Sequence, residues 1–198
     1  MSNRDVDFLF EMGNIRYIPR MWSRFYHPQF SNLAEHHFRV FWIAMIIAQH
    51  EGGDTGKIAK MVLVHDIAES RTGDLDYLSR QYSERNEKLA IEDMLADTSL
   101  NQEFLALWNE YEERDSIEAK IVKDADNLEI DLELAEQAAN GSPLRAELQE
   151  TRKYVSTNKL YTSTAKQLFT SINKTNPHHW HTSGRNRTNS GDWRDNKK

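Results

Sequence analysis

Cysteine is absent from all 198 residues, and glycine (8) and proline (4) are scarce. Without thiols the chain builds no disulfide framework, no thiolate zinc site and no cysteine nucleophile. The shortage of glycine and proline argues against collagen-like and turn-rich β architectures. Long apolar runs are missing as well: the most apolar stretch, Val40 to Ala48, is about half the length that crosses a bilayer. The N-terminal MSNRDVDFLFEMGN carries Asp5, Asp7 and Glu11 and no extended apolar segment, so it does not read as a signal peptide. These features predict a soluble, cytoplasmic protein with no membrane partner.

Charge and histidine are what the chain does have. Charged residues make up 28%, and eight histidines remain as metal ligands or bases. Any metal site must therefore use nitrogen and oxygen donors. The net charge of −6 is unevenly spread: residues 1–173 carry −10 and residues 174–198 carry +4. The segment 174–198 is rich in Asn, Ser, Thr, Gly and His and nearly free of aliphatic residues. It cannot bury enough apolar surface to fold alone. It reads as a flexible basic tail after a single domain at 1–173. Trp180 and Trp193 among its basic residues would suit base stacking, but the acidic body repels phosphate backbones, so nucleic acid is a disfavoured partner.

The body reads as helices. A first one is predicted near Asp5 to Met12, followed by irregular chain broken by Gly13, Pro19 and Pro28. A helix from Asn32 to His50 stops at Gly52-Gly53. Asp54 or Thr55 caps the next, which is expected to run to Ser70, before a turn at Arg71-Thr72-Gly73-Asp74. Amphipathic helices follow at 79–97 and 100–113. Asp115-Ser116-Ile117-Glu118 resembles a capping box opening a long helix that ends at Asn140-Gly141. Two more are expected at 144–156 and 161–173. No segment alternates with period two. The expected fold is an all-α bundle of about seven helices.

Burying an ionisable group is costly unless it is paired or bound to metal. Three places put such groups on apolar faces. His36 shares a helix face with Val40, Ile43 and Ile47, and His37 shares one with Leu33, Phe41 and Ala44. One or both point inward, and a core histidine satisfied by a carbonyl is the plainer reading. In Met61-Val62-Leu63-Val64-His65-Asp66-Ile67-Ala68-Glu69 an apolar run acquires three ionisable groups, with helical spacing placing Glu69 beside His65 and Asp66. In the long helix, Asp126 aligns with Val122 and Ile130 on an apolar flank. Asp124 and Asp131 align with Lys120 and Asn127 and are expected to be solvated. Two His and two Asp from three helices thus have the composition of a site for one divalent cation such as Mn, Co, Ni, Fe or Zn.

The blocks Ala34-Glu35-His36, Val64-His65-Asp66-Ile67-Ala68-Glu69, Thr72-Gly73-Asp74-Leu75 and Val122-Lys123-Asp124-Ala125-Asp126-Asn127-Leu128, in that order, resemble the HD-domain metal-dependent phosphohydrolases. They are most similar to the one-metal 5′-deoxynucleotidase branch, over residues 5–140. The resemblance implies a compact HD-domain helical bundle and one divalent metal ion per site (Co, Mn, Ni, Fe, Zn or Mg). It implies His36, His65, Asp66 and Asp126 as metal ligands, which selects His36 over His37 and Asp126 over Asp124. It implies Glu69 as general acid/base and Asp74 as an acid of the substrate pocket. The loop Ile18-Pro19-Arg20-Met21-Trp22 resembles a segment in which Arg20 and Trp22 contact nucleotide. Lys123 and Arg71 are further candidates to hold phosphate. The family's Thr-Gly-Asp turn usually continues into proline, where this chain has Asp76.

The activity so implied is hydrolysis of a deoxynucleoside 5′-monophosphate by a metal-bound water, with Glu69 moving the proton. A deoxynucleoside triphosphate hydrolase using the same site is the nearest alternative. A non-catalytic nucleotide-binding protein is a third, disfavoured by the intact ligand set. A homodimer is implied too. Phe104, Leu105, Leu107, Trp108 and Tyr111 suit either a helix interface or the core.

Overall fold

The computed structural model describes residues 3–25 and 30–185. In chain order these form α1 (Asn3–Asn14), α2 (Leu33–Glu51), α3 (Thr55–Val64), α4 (Glu69–Thr72), α5 (Glu87–Leu95), α6 (Asn101–Glu113), α7 (Ile117–Ala139), α8 (Leu144–Glu147), α9 (Gln149–Asn158), α10 (Ser163–Ile172) and α11 (His179–Thr182). Three single 3₁₀ turns, Ile15–Tyr17, Met21–Arg24 and Ser79–Gln81, complete the helical segments. The fold is all-α. Among the described residues β structure is limited to one isolated bridge, Pro19 to Asn32. None of their helices is long and apolar enough to cross a membrane.

The core is a three-helix seam. Val40, Ile43, Ala44 and Ile47 of α2 pack in one cluster with Ile58, Met61 and Val62 of α3 and Ile121, Val122, Ala125 and Leu128 of α7. Each such large side chain contributes about 1.5–3 kcal/mol on full burial. The seam forms because α2 is well defined at both ends. Asn32 accepts from the Glu35 amide while Glu35 accepts from the Asn32 amide, closing a capping box. Gly52 ends the helix at φ +82°, a left-handed conformation that glycine takes without strain. At Gly53 a Cβ would lie 2.9 Å from the tips of both Ile58 and Ile121, so the α2–α3 turn packs directly onto α7. Leu107, Trp108 and Tyr111 are buried, with Phe104 and Leu105 half-buried against the core. Of their two expected uses, α6 spends them on the core.

Several expected boundaries are corrected. The helix expected to run to Ser70 ends at Val64, and residues 65–68 are a tight turn. There the amides of Glu69, Ser70 and Arg71 bond three residues back, to Asp66, Ile67 and Ala68, instead of four. The helix expected at 79–97 begins only at Glu87, because Asn86 caps it by accepting from the Leu89 amide. Upstream, Asp76 takes the amides of Leu78 and Ser79 and holds a separate 3₁₀ turn. The cap of α7 is Ser116, which accepts from Ala119, while Glu118 accepts from the Asp54 amide. The helix expected at 144–156 is split into α8 and α9 at Leu148. Residues 186–198, including Trp193, lie outside the described residues, as do Met1, Ser2 and Pro28.

Two acids expected in solvent are buried. Asp124 is fully buried and caps α10 from a distance: it accepts from the amides of Tyr161 and Thr162 (both 2.8 Å) and from the Thr162 hydroxyl (2.7 Å). Asp131 is buried in a bidentate pair with Arg152, at 2.9 and 2.8 Å. Removing the Asp124 carboxylate strands these donors in the interior. Asp124→Ala should therefore cost about 2–3 kcal/mol and lower the thermal midpoint by several degrees in calorimetry. A solvated charge at this position would cost less than about 0.5 kcal/mol.

Candidate metal centre

Four donors from three parts of the chain meet behind the α2–α3–α7 seam. His36 stands on the second turn of α2, His65 and Asp66 in the tight turn after α3, and Asp126 on the buried flank of α7. One ligand atom from each lies within 4.8 Å of the others. The Nε2 of His36 is 3.6 Å from Asp66 Oδ2 and 3.4 Å from Asp126 Oδ1, and the Nε2 of His65 is 3.3 Å from Asp66 Oδ2. Both Nε2 atoms are buried and make no hydrogen bond. The periodicity that placed Asp126 inward is matched by its position here.

The other ring nitrogens explain the orientation. His65 Nδ1 donates to the Val62 carbonyl at 2.8 Å, and His36 Nδ1 donates to the buried carboxylate of Glu129 at 3.1 Å. With Nδ1 donating elsewhere, Nε2 is the nitrogen that faces the carboxylates and is left to serve as a ligand. His37, also buried, is used differently. Its Nδ1 bonds the Leu33 carbonyl at 2.8 Å, and burial lowers its pKa to about 3, so it stays neutral. Both histidines point inward, and only His36 reaches the cluster.

The electrostatics are those of a cation site. Burial opposes charge on Asp66 and Asp126, yet His65 and His36 hold Asp66, and Lys123 and His36 hold Asp126, well below the usual carboxylate range. Burial and Arg20 oppose a proton on His36, but the carboxylates of Asp126, Asp66 and Glu129 outweigh them and raise its pKa well above normal. A proton on His36 thus does the neutralising that a divalent cation would do. Two imidazole nitrogens without partners and two carboxylates fit Mn, Fe, Co, Ni or Zn.

A cavity of about 350 Å³ opens over the cluster and is lined by Asp66, Asp126 and Glu69. Glu69, the first residue of α4, accepts from Arg85 at 2.9 Å, while its other oxygen is buried without a hydrogen bond, 3.8 Å from Arg20. Burial first, then Asp66 and Asp74, push its pKa up to about 9 against the pull of Arg20 and Arg85. Arg20 forms a buried pair with Asp74 at 2.9 Å, and Asp74 also accepts from the Met21 amide at 3.0 Å. Asp74 therefore fixes the loop that brings Arg20 and Trp22 to the cavity wall. Asp76, at the usual proline position, secures the same loop through Arg24 at 2.6 Å. Lys123 reaches the cavity but is already bonded to Asp126 Oδ2 at 2.7 Å.

Arg71 is a correction. It does not line the cavity, and its guanidinium is held in a bidentate pair with Glu11 of α1, at 2.6 and 2.9 Å. Residues not foreseen from sequence join instead: Arg85, Glu129, Arg152 and Tyr111, whose buried hydroxyl lacks a partner and whose ring meets His65 edge-on at 5.5 Å. Glu129 had a readable signal, a charge one turn after Asp126 on the same flank. Arg85 had none, since it sits in an irregular segment.

Residues 12–168 match the HD domain family. The chain belongs to the HD-domain family. It is 33% identical over 147 residues to a 5′-deoxynucleotidase, HDDC2, of Danio rerio, covering 71% of this chain and 73% of that protein. Two solved structures share the fold: the PH0347 protein of Pyrococcus horikoshii (TM-score 0.70, 24% identity, 85% of this chain and 98% of that one) and a cyanophage S-2L HD phosphohydrolase, DatZ, bound to dA and one catalytic Zn²⁺ (TM-score 0.55, 21% identity, 84% and 96%). This HD-domain protein is a metal-dependent phosphohydrolase.

Glu129→Gln should weaken divalent-metal affinity about 10- to 100-fold, read by isothermal titration with the fold intact. Binding should release a proton and weaken as pH falls, because the proton on His36 must leave before the metal enters. An affinity independent of pH would contradict this assignment.

Proposed function

We propose that this HD-domain enzyme hydrolyses deoxynucleoside 5′-monophosphates to deoxynucleoside and phosphate. One observation carries the reading. A single cavity of about 350 Å³ is lined by Asp66 and Asp126 of the four-donor cluster, by Glu69, whose pKa is raised, and by the cations Arg20 and Lys123. Its volume is at the small end of ligand sites and suits one nucleotide. The likeness to a 5′-deoxynucleotidase supports the same substrate.

In this reading His36, His65, Asp66 and Asp126 hold one divalent cation, which supplies a nucleophilic water at neutral pH and positive charge for the phosphate. Arg20 binds a phosphate oxygen, with Asp74 keeping its guanidinium aimed. Lys123 orients Asp126 and adds positive charge to the same wall. Glu69 gives its proton to the leaving sugar oxygen. Its raised pKa keeps a proton available for that oxygen, and Arg85 fixes which carboxyl oxygen faces the cavity. Trp22, half-buried at the rim, packs against the sugar. The homodimer belongs to this proposal as well. The face offered is the stripe Phe38, Trp42 and Ile46 on α2, exposed at 69%, 54% and 49%. A cytoplasmic setting is part of the same reading.

Arg80, Arg85, Arg114 and Arg152 also line the cavity; Arg85, Arg114 and Arg152 are paired with acids, while Arg80 forms no salt bridge among the described residues. Arg80, free to meet a longer phosphate chain, favours a second reading, release of triphosphate from deoxynucleoside triphosphates. Product analysis on a panel of both substrate classes separates the two. Phosphate from monophosphates is expected. Triphosphate from triphosphates, with monophosphates inert, would overturn the first reading. Glu69→Gln should retain metal and lose about 10²–10⁴ in kcat; unchanged turnover would remove Glu69 from its role.

A further inference from the structure

A second cavity, of about 610 Å³, lies further along α7 toward its C-terminal end. Its charge is out of keeping with the body around it. Residues 1–173 carry −10, yet Arg145, Arg152, Lys153 and Lys174 line this cavity against one acid, Asp131. That acid is already spent on Arg152. Among the described residues, Arg145, Lys153 and Lys174 form no salt bridge, although Arg145 donates to the Ile172 carbonyl and the Asn173 side chain. Leu134 and Ala138 of α7, Ala146 of α8 and Phe169 of α10 add apolar surface, alongside the neutral polar side chains Ser142, Gln149, Thr170 and Asn173. Cations, hydrogen-bonding groups and an aromatic ring, in a volume typical of small-molecule sites, match an organic anion with a flat body.

We infer that this cavity is a second ligand site, taking a nucleoside phosphate with its phosphate among Arg145, Lys153 and Lys174 and its base against Phe169 and Ala146. The two cavities share Arg152. Its guanidinium bonds Asp131 and also the carbonyl of Asn127, which lines the metal-site cavity beside Asp126. An anion that draws Arg152 from Asp131 changes the wall of the catalytic cavity as well. Occupancy of one site is thereby coupled to affinity at the other.

The test reads binding in the full-length, metal-free chain, so it is independent of turnover. Titration calorimetry with dAMP compares the parent with Lys153→Glu/Lys174→Glu, two exposed side chains outside the catalytic cavity. The parent should bind one more equivalent of dAMP than the double variant. Amide resonances of residues 144–153 and 169–174 of the parent should shift on saturation. Equal stoichiometry, or no shift in those segments, overturns the proposal. Inorganic phosphate should bind this site at least tenfold more weakly than dAMP; equal affinity overturns the assignment of the apolar surface. A chain that hydrolyses no nucleotide but shows the extra equivalent would sink the proposed activity and leave this site standing.

Discussion

Two half-buried carboxylates and two buried imidazole nitrogens that make no hydrogen bond, gathered within 4.8 Å, favour positive charge among them. Much of the surrounding architecture supplies or positions that charge. Lys123 bonds one oxygen of Asp126 and leaves the other for His36. Glu129 and the Val62 carbonyl each accept a hydrogen bond from an Nδ1, so that both Nε2 atoms converge on the carboxylates. Arg20 and Arg85 flank Glu69, whose pKa burial and its anionic neighbours push up to about 9. Their environments thus drive two kinds of carboxyl in one pocket in opposite directions, Asp66 and Asp126 down and Glu69 up.

The helices are arranged to make this possible. The long α7 carries Lys123, Asp126 and Glu129 on successive turns and packs against both α2 and α3. Its own start is fixed by Ser116, and α10 is pinned to it through Asp124. His65 and Asp66, adjacent in the tight turn at 65–68, both reach the cluster. The loop carrying Arg20 and Trp22 has no regular helix to hold it, and Asp74 and Asp76 supply that hold through side-chain bonds.

What was legible in the sequence was whatever burial periodicity or local caps report. The α2 boundaries followed from Asn32 and Gly52. Asp126 stood out because its charge lay with Val122 and Ile130. Periodicity reports burial and not ring orientation, so His36 and His37 stayed equivalent until the blocks around them were compared with the HD phosphohydrolases. Asp124 was misread because its partners, Tyr161 and Thr162, lie 37 and 38 residues away. Arg71 and Arg85 exchanged places for the same reason: Glu11 and Glu69, which hold them, are 60 and 16 residues distant. The helix expected at 79–97 had the right charge pattern, but Asp76 and Asn86 gave its backbone amides other acceptors.

The central claim is that His36, His65, Asp66 and Asp126 hold one divalent cation together. Elemental analysis of purified protein by mass spectrometry, on the parent and on Asp126→Ala, tests it most directly. The account predicts close to one equivalent of a transition-metal ion per chain in the parent and a large loss in the variant, with helical content retained in both. Parent and variant carrying the same metal content would contradict it.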